Sequence, residues 1–369
     1  MESTWQIRPT KIMVDLEAIK SNVMNLKERL QSNVQIIAVV KANAYGHGDV
    51  KVAQAAMDAG ATMLAVATPD EAMHLRQHFE TAPIIVLGAS PVHFAQMAAA
   101  NNISLTVFSA DWINELPTLE HVLKLHIKID SGMGRIGVTN EAQLMELYNE
   151  AVKTKNIEIE GIFTHFATAD DEDTLHFDNQ ITMFQKMLNV LPEKPRLVHV
   201  ANTATALVKD ASYQYDAVRY GISLYGLSPS PYVETVLPFE LKPAMSIETE
   251  LVHVKQIQVG DTVGYGATFV ATEPCYIGTL PIGYADGVLR KLSGMDVLVG
   301  GKRAKIVGRV CMDQCMVLLE EKFEVGERVV LIGQMGDEKI SFDDWATKLE
   351  TINYELPCIL TNRLPRNYK

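Results

Sequence analysis

The sequence has 369 residues, of which 47% are hydrophobic and 21% are charged, a composition that supports a sizeable core and excludes global disorder. Its 33 basic and 45 acidic residues give a formal net charge of −12 at pH 7, which disfavours nucleic acid and anionic membranes as partners. No window approaches about 18 uncharged apolar residues, and the N-terminus resembles no secretory leader. We therefore expect a soluble, cytoplasmic protein of two domains, or of one barrel with an appendage.

Eight short apolar runs alternate with amphipathic stretches between residues 35 and 220. The runs are Ile36–Val40, Met63–Ala67, Ile84–Leu87, Ile103–Phe108, Val122–Ile129, Ile157–Phe163, Arg196–Val200 and Ala217–Tyr220. The segments between them carry helix signals, such as the proline and acids of 69–72 and the 3.6-residue apolar period of Glu141–Lys153. Eight strand–helix units predict an α/β fold with an N-terminal (β/α)8 barrel of the TIM type over residues 10–235. A doubly wound sheet has the same pattern, but usually fewer strands.

The pattern changes after Gly226, where four prolines between residues 226 and 245 indicate a connector. The β-type runs that follow are Ser246–Ile257, Tyr276–Pro281, Lys305–Val310, Met316–Leu319 and Arg328–Ile332. We predict a second, mainly β domain over residues 240–369. The β-like stretch Thr10–Val14 suggests that residues 1–14 pair with this second domain.

Nitrogen-bearing side chains gather at the predicted strand ends, where a barrel of this type carries its active site. They are Lys41, Lys128, Arg135, His165, His199 and Arg219. Such a ring suits an anionic ligand with a phosphate and a carboxylate, and it suits a hard metal poorly. The four cysteines have no zinc-binding spacing, so we predict reduced thiols and no metal.

Lys41 is the candidate nucleophile, because a lysine at the end of a buried strand is partly desolvated and its pKa is lowered. Schiff-base chemistry with the aldehyde of pyridoxal phosphate follows from such an amine. The loop that starts at Arg219 and continues through Gly221 would offer backbone N–H groups to the phosphate.

A second motif, Gly132-Met133-Gly134-Arg135-Ile136-Gly137, matches the dinucleotide pattern GxGxxG. It follows the fifth strand instead of the first, and the next strand ends in Thr164-His165 where an acid should hold the ribose. We therefore interpret these glycines as a loop that presents Arg135.

The segment Val40-Lys41-Ala42-Asn43-Ala44-Tyr45-Gly46-His47-Gly48 resembles the signature of the alanine racemase family around its pyridoxal phosphate lysine. Similar motifs follow in order at residues 128–137, 164–166, 219–222, 264–266, 282–287 and 311–314. The resemblance covers essentially the whole chain. It implies a homodimer with active sites shared between subunits, which interconverts L-alanine and D-alanine and supplies D-alanine for peptidoglycan synthesis.

Three alternatives remain. The first is a racemase of the same family that prefers serine or another amino acid, since a single sequence does not show pocket volume. The others are a diamino acid decarboxylase of the same fold and a non-enzymatic pyridoxal phosphate carrier.

The resemblance assigns the two catalytic bases. Lys41 forms the internal aldimine with pyridoxal phosphate and acts on the D face, and Tyr265 acts on the L face. Racemisation needs a base on each face, because a single base would return the proton to the face it left. The side chains of lysine and tyrosine both have reference pKa values near 10, so each must be tuned downward.

The resemblance also assigns supporting roles. Arg219 donates to the pyridine nitrogen and, by staying protonated, leaves the ring unprotonated; His165 sits between Arg219 and Tyr265. Arg135 orients Tyr265 and the phenolic oxygen of the cofactor. Arg135 and Met312 are the residues implied in substrate binding, and the backbone of Met312 helps bind the substrate carboxylate. Lys128 matches a lysine that is carbamylated in many family members, where the carbamate braces Arg135. The residues implied around the cofactor are Lys41, Tyr45, Asn202, Thr203, Arg219, Gly221, Ile222 and Tyr354.

Overall fold

The computed structural model describes residues 7–369, which form two compact units. One unit contains residues 17–44 and 48–243, and the other contains residues 7–16, 45–47 and 244–369. The first holds a parallel barrel with helices and the second is mainly β. The predicted fold class is therefore confirmed.

Eight parallel strands form the barrel of the first unit, and the first seven pair with one another in chain order. The strands are Gln35–Val39, Met63–Val66, Ile84–Val86, Ile103–Val107, Leu123–Lys128, Ile157–Phe163, Leu197–His199 and Ala217–Tyr220. The first strand also pairs with the eighth. Between the seventh and eighth strands, the N–H groups of Asp216 and Arg219 donate to the carbonyls of Val198 and Ala201 at 3.0 and 2.9 Å. The barrel is thus nearly closed, and its strands read as continuous apolar runs because both faces are buried.

Helices cover the outside of the barrel because one stripe of each is apolar. In Glu141–Lys153, Leu144, Leu147 and Ala151 are buried, and the Asn140 side chain caps the N-terminus. The α-helices described in this unit and its edges are Leu16–Arg29, Asp49–Asp58, Pro69–Arg76, Ala95–Ala100, Ala110–Asn114, Glu141–Lys153, Leu175–Asn189, Thr203–Val208 and Pro231–Thr235, and a left-handed turn spans Lys41–Tyr45. Among the described residues, no helix combines the length and hydrophobicity needed to cross a bilayer.

The second unit is built on a ten-stranded, mostly antiparallel sheet. Its strands are Lys11–Val14, Met245–Glu250, His253–Ile257, Cys275–Leu280, Asp296–Val299, Lys302–Val307, Cys315–Leu319, Arg328–Met335, Glu338–Ile340 and Arg366–Tyr368, and a separate hairpin joins Thr262–Val263 to Phe269–Val270. The first strand pairs antiparallel with Met245–Glu250 and parallel with Arg366–Tyr368. Residues 1–6 of the segment expected to pair here lie outside the described residues.

Several details of this unit differ from the sequence prediction. The expected strand Ser246–Ile257 is two strands, because the N–H groups of Leu251 and Val252 donate to Glu327 and Thr279, which lie on different partners. The strand expected at Lys305–Val310 begins and ends three residues earlier. The helices Phe342–Leu349 and Glu355–Cys358 were not predicted, because they have only eight and four residues and the second contains Pro357.

Candidate active site

Lys41 opens a left-handed turn directly beyond the first barrel strand. The strand ends at Val39, and Ala42, Asn43, Ala44 and Tyr45 have φ values of 53°, 53°, 52° and 50°. A left-handed conformation costs a non-glycine residue roughly 1–2 kcal/mol. Four in succession persist only where the surroundings determine the backbone. The position of Lys41 is therefore set by contacts to this turn, and it is not simply the last residue of a strand.

Two side chains hold the turn in place. The Glu71 carboxylate accepts hydrogen bonds from the backbone N–H of Ala42 and of Ala67, both at 2.7 Å. Glu71 also belongs to the capping box of the helix Pro69–Arg76, so it ties that helix start to the residue after Lys41. On the strand side, the buried Tyr225 hydroxyl donates to the carbonyl of Val39 at 2.8 Å. From the sequence, Glu71 was expected only at the start of a helix.

Lys128 is a buried amine surrounded by positive charge. Its Nζ lies 4.7 Å from the centroid of the Phe163 ring, and the guanidinium carbon of Arg219 lies 5.3 Å from the same ring. Among the described residues no group forms a hydrogen bond with this Nζ. Burial and the charges of Arg219 and Arg135 hold the pKa of Lys128 well below its usual value. The positive charges of Arg219 and Arg135 around Lys128 therefore favour an anion at this position.

Arg219 is buried and its guanidinium faces neutral acceptors. Its Nη2 donates to the carbonyls of Thr164 and Val200 at 2.7 and 3.0 Å, and its Nη1 donates to Nδ1 of His199 at 3.0 Å and to the His199 carbonyl. Burial and the charge of Arg135 lower the pKa of Arg219 to about 9. The group therefore stays protonated at neutral pH, although less strongly than an ordinary arginine.

His165 lies beside Arg219, with Nδ1 3.4 Å from Nη2. Burial and the positive charges of Arg219, Lys128, Arg135 and Lys41 hold the pKa of His165 well below its usual value. His165 is thus neutral at pH 7. The structure brings these five predicted residues into one electrostatically coupled group on the barrel.

The loop that carries Arg135 wraps around a carboxylate. Oδ1 of Asp130 accepts the N–H groups of Gly132, Met133 and Gly134 at 3.0, 2.8 and 3.0 Å, and Oδ2 accepts that of Arg135 at 3.0 Å. A dinucleotide site would need such N–H groups for its pyrophosphate, so the loop is not one. That this loop serves to present Arg135 stays a prediction, and the role of Asp130 in holding the loop was not predicted from the sequence.

The residues predicted to bind the cofactor phosphate follow the seventh and eighth barrel strands. Oδ1 of Asn202 caps the helix Thr203–Val208 by accepting the N–H of Thr205 at 3.0 Å. The N–H of Gly221 donates to Oγ1 of Thr203 at 2.8 Å, so the two predicted loops meet. Ile222 begins a single-turn helix directly after Gly221. Helix starts of this kind leave N–H groups that suit a phosphate.

The remaining predicted residues belong to the second unit. Tyr265 lies between two glycines in the hairpin loop, where its side chain stands clear of the sheet and is 70% exposed. The carbonyl of Met312 accepts the N–H of Ala285 at 3.0 Å. Tyr45 and Tyr354 place their ring centroids 6.3 Å apart. A cavity of about 440 Å³ beside Tyr265 is lined partly by His253, Lys255, Thr279, Cys311, Gln314 and Met316.

The residues present fit pyridoxal phosphate better than they fit a metal. Lys41 supplies an amine, Arg219 supplies a fixed cation, and Lys128 is a buried amine without a hydrogen-bonding partner among residues 7–369. In the part of the chain that the structure describes, no group of three His, Cys, Asp or Glu side chains is arranged to hold a metal ion.

Two family models match the chain, namely the alanine racemase N-terminal domain over residues 14–229 and the C-terminal domain over residues 244–368. An alanine racemase of Listeria monocytogenes serotype 4a is 48% identical over 369 residues, which are 100% of both chains. The structure of a Bacillus anthracis alanine racemase with bound L-Ala-P has a TM-score of 0.95 at 45% identity and covers 99% of this chain and 96% of its own. A histidine racemase from Leuconostoc mesenteroides subsp. sake has a TM-score of 0.92 at 34% identity, with 99% of each chain covered.

Proposed function

The chain belongs to the alanine racemase family and is an amino-acid racemase, and we propose that it interconverts L-alanine and D-alanine by a two-base mechanism with pyridoxal phosphate. The observation that carries the proposal is the cluster of Lys41, Lys128, Arg135, His165 and Arg219 at the barrel strand ends. These are the residue types needed to bind an anionic cofactor and to move a proton at Cα.

Pyridoxal phosphate, held by a lysine amine, withdraws electron density from the substrate and so acidifies its Cα–H bond. Lys41 is the residue proposed to hold the cofactor, because its backbone is fixed by Glu71 and by the strand before it. Asn202, Thr203, Gly221 and Ile222 are proposed to bind the phosphate through the N–H groups of their two loops.

Two bases move the proton. Lys41 takes or returns it on the D face of Cα, and the hydroxyl of Tyr265 takes or returns it on the L face. Because the proton that leaves one face is replaced from the other, the configuration inverts. The high exposure of Tyr265 within its own unit leaves the hydroxyl free to approach a substrate.

Arg219 is proposed to donate to the pyridine nitrogen. Its pKa of about 9 keeps it charged at neutral pH, and a charged arginine cannot give the ring a full proton without losing the cation that holds it. By keeping its own proton, Arg219 would leave the pyridine nitrogen unprotonated, which should favour return of the proton to Cα over transamination.

Arg135 and Met312 are proposed to bind the substrate carboxylate, Arg135 also orienting Tyr265. Tyr45 and Tyr354 complete the cofactor surroundings. Lys128 is proposed to react as a neutral amine with carbon dioxide, forming an N–C bond and releasing one proton. The resulting carbamate would supply the anion that the charges of Arg135 and Arg219 favour.

We further propose a homodimer in which each second unit completes the active site of its partner subunit. The support is that Lys41 and Tyr265 belong to different units. Inactive Lys41→Ala and Tyr265→Ala homodimers, mixed and reassembled, should regain activity to about a quarter of wild type with random pairing in a C2 dimer. If both bases act within one chain, hybrids stay inactive; subunit exchange is verified with a mass-tagged chain.

The test of the reaction is incubation of the pyridoxal phosphate-loaded protein with L-alanine, L-serine, L-histidine and L-lysine, with each D product quantified. Histidine is included because a histidine racemase shares the fold, which keeps the alternative specificity in view. We expect alanine to have the highest kcat/KM. A better substrate among the other three would overturn the assignment to alanine. A cytoplasmic role in supplying D-alanine for peptidoglycan follows from this activity and would be tested by D-alanine rescue of a deletion strain.

A further inference from the structure

A continuous line of buried polar side chains runs through the barrel interior and ends at Arg219. Nη1 of Arg219 lies 3.0 Å from Nδ1 of His199, and Nε2 of His199 lies 2.8 Å from Nδ1 of His126. Nε2 of His126 lies 3.0 Å from Oε2 of Glu160. His126 and His199 are completely buried, and Glu160 is 2% exposed. We call Glu160, His126 and His199 the barrel relay.

The two ends of the barrel relay allow one arrangement of protons. A guanidinium has only donors, so Nδ1 of His199 must be an acceptor and the proton of this imidazole is on Nε2. That proton is donated to Nδ1 of His126, which must therefore be unprotonated. The proton of His126 is then on Nε2. The final acceptor is the Glu160 carboxylate. The same proton positions result if the assignment begins at the ionised Glu160 carboxylate, which accepts the proton on Nε2 of a neutral His126.

Alternative protonation states place two donors against each other. A doubly protonated His126 would donate to His199 and force the His199 proton onto Nδ1, opposite the N–H of Arg219. Burial and the charge of Arg219 also hold the pKa of His199 well below its usual value. The hydrogen-bond geometry therefore assigns a single proton to each of the two imidazoles.

Glu160 remains ionised although it is buried. Burial opposes ionisation, but hydrogen bonds from His126 and from the Ser104 hydroxyl, the latter 2.7 Å away, lower the pKa of Glu160 to about 2. Two further cations approach the carboxylate, with Nη2 of Arg196 at 2.6 Å and Nζ of Lys124 at 3.8 Å. The relay thus links a buried anion to a buried cation through two neutral rings.

Arg219 needs such a link because none of its hydrogen-bond partners carries a negative charge. They are backbone carbonyls and the imidazoles of His199 and His165. A buried charge that faces only neutral groups is costly and is easily lost or displaced. Polarised chains of hydrogen bonds strengthen one another in a low-dielectric interior.

We propose that Glu160, acting through His126 and His199, is a positioning residue that keeps the guanidinium of Arg219 charged and fixed in one orientation. The consequence for catalysis rests on the proposed function, since it requires the cofactor ring to bind at Arg219. The proton arrangement does not, and it is measured on the chain without cofactor.

The first test is ¹⁵N-histidine labelling of the cofactor-free protein at pH 7.5, with long-range nitrogen–proton correlation spectra. Signals are assigned by their loss in His126→Asn and His199→Asn variants. We expect both rings to be neutral with the proton on Nε2. A proton on Nδ1 of either ring, or a doubly protonated ring, would overturn the proposal without any measurement of activity.

The second test is Glu160→Gln in the pyridoxal phosphate-loaded enzyme, with Glu158→Gln as the matched control. Glu158 is an exposed acid on the same strand, and its variant should stay within twofold of wild type. We expect Glu160→Gln to lower kcat at least tenfold while KM for alanine changes less than threefold.

A double-mutant cycle separates positioning from a structural role. If Glu160 acts through Arg219, Glu160→Gln introduced into Arg219→Lys should change kcat by less than twofold, because the group it acts on is already gone. Independent, multiplicative losses would show that Glu160 supports the barrel in another way and would overturn the proposal. If the wild-type chain shows the expected histidine protons but no racemase activity, the proposed function fails while the proton arrangement stands.

Discussion

Replacement of Asp130 by asparagine tests how the loop that carries Arg135 is held. The Asp130 carboxylate accepts four backbone N–H groups, those of Gly132, Met133, Gly134 and Arg135, at 2.8–3.0 Å. Asparagine keeps one oxygen but turns an NH₂ group toward the N–H of Arg135. One hydrogen bond is therefore lost, and three become bonds to a neutral acceptor.

The magnitude follows from the number of bonds. A hydrogen bond to a charged group contributes about 1.5–3 kcal/mol and one between neutral groups about 0.5–1.5 kcal/mol. Weakening three bonds and losing one would thus cost about 4.5–7.5 kcal/mol if the carboxylate were fully shielded from water. Asp130 is partly exposed, and water replaces part of what is lost. We expect about 2–3 kcal/mol in the free energy of local opening, or a 30- to 140-fold change at about 1.4 kcal/mol per factor of ten.

The assay is amide hydrogen exchange. In Asp130→Asn the amides of residues 132–135 should exchange about 30- to 140-fold faster, while those of the helix Glu141–Lys153 keep their rates. Asp337→Asn, at an exposed turn of the second unit, controls for the loss of one acid. Unchanged exchange in the loop would refute the reasoning. We also expect KM for alanine to rise about tenfold, because Arg135 is no longer fixed.

The protection of the loop held by Asp130 should decrease as the pH falls. Burial raises the pKa of Asp130, but the hydrogen bonds from Gly134, Gly132, Arg135 and Met133 outweigh it, so the pKa is lower than usual. A carboxyl with a lowered pKa contributes stability above its unfolded pKa and loses it as pH falls through the folded value. After correction for intrinsic rates, loop protection in the wild type should therefore decline in acid. The asparagine variant should lack this decline.

Borohydride reduction of the loaded enzyme followed by peptide mapping should find the pyridoxyl group on Lys41; a label on Lys128 would contradict the assignment. Lys128 should incorporate ¹³C from labelled bicarbonate and lose it as pH falls, because the carbamate forms from the neutral amine; an unmodified amine paired with another anion would argue against this. A Cβ at Gly283 would lie 2.3 Å from the carbonyl oxygen of Cys311, so Gly283→Ala should displace the segment with Met312. KM for alanine should then rise at least tenfold, and an unchanged KM would show that this segment does not bind substrate.

The sequence determined the barrel because each buried strand is short, mostly apolar and bounded by polar residues. Ile157–Phe163 and Ala217–Tyr220 were predicted with the observed bounds, as was the helix Glu141–Lys153. It also placed Lys41, Lys128 and the other cationic groups at one end of the barrel, since parallel strands in a barrel all end on one face.

The tertiary structure decided how those groups are held. Nothing in Ala42-Asn43-Ala44-Tyr45 requires a left-handed turn; Glu71 and the adjoining strand impose it across nearly thirty residues of chain. Likewise the hydrogen bond between His126 and His199, 73 residues apart, leaves no periodic trace. Hydrophobic periodicity reports which face of an element is buried, whereas hydrogen bonds between distant segments depend on distances that exist only once the barrel has closed.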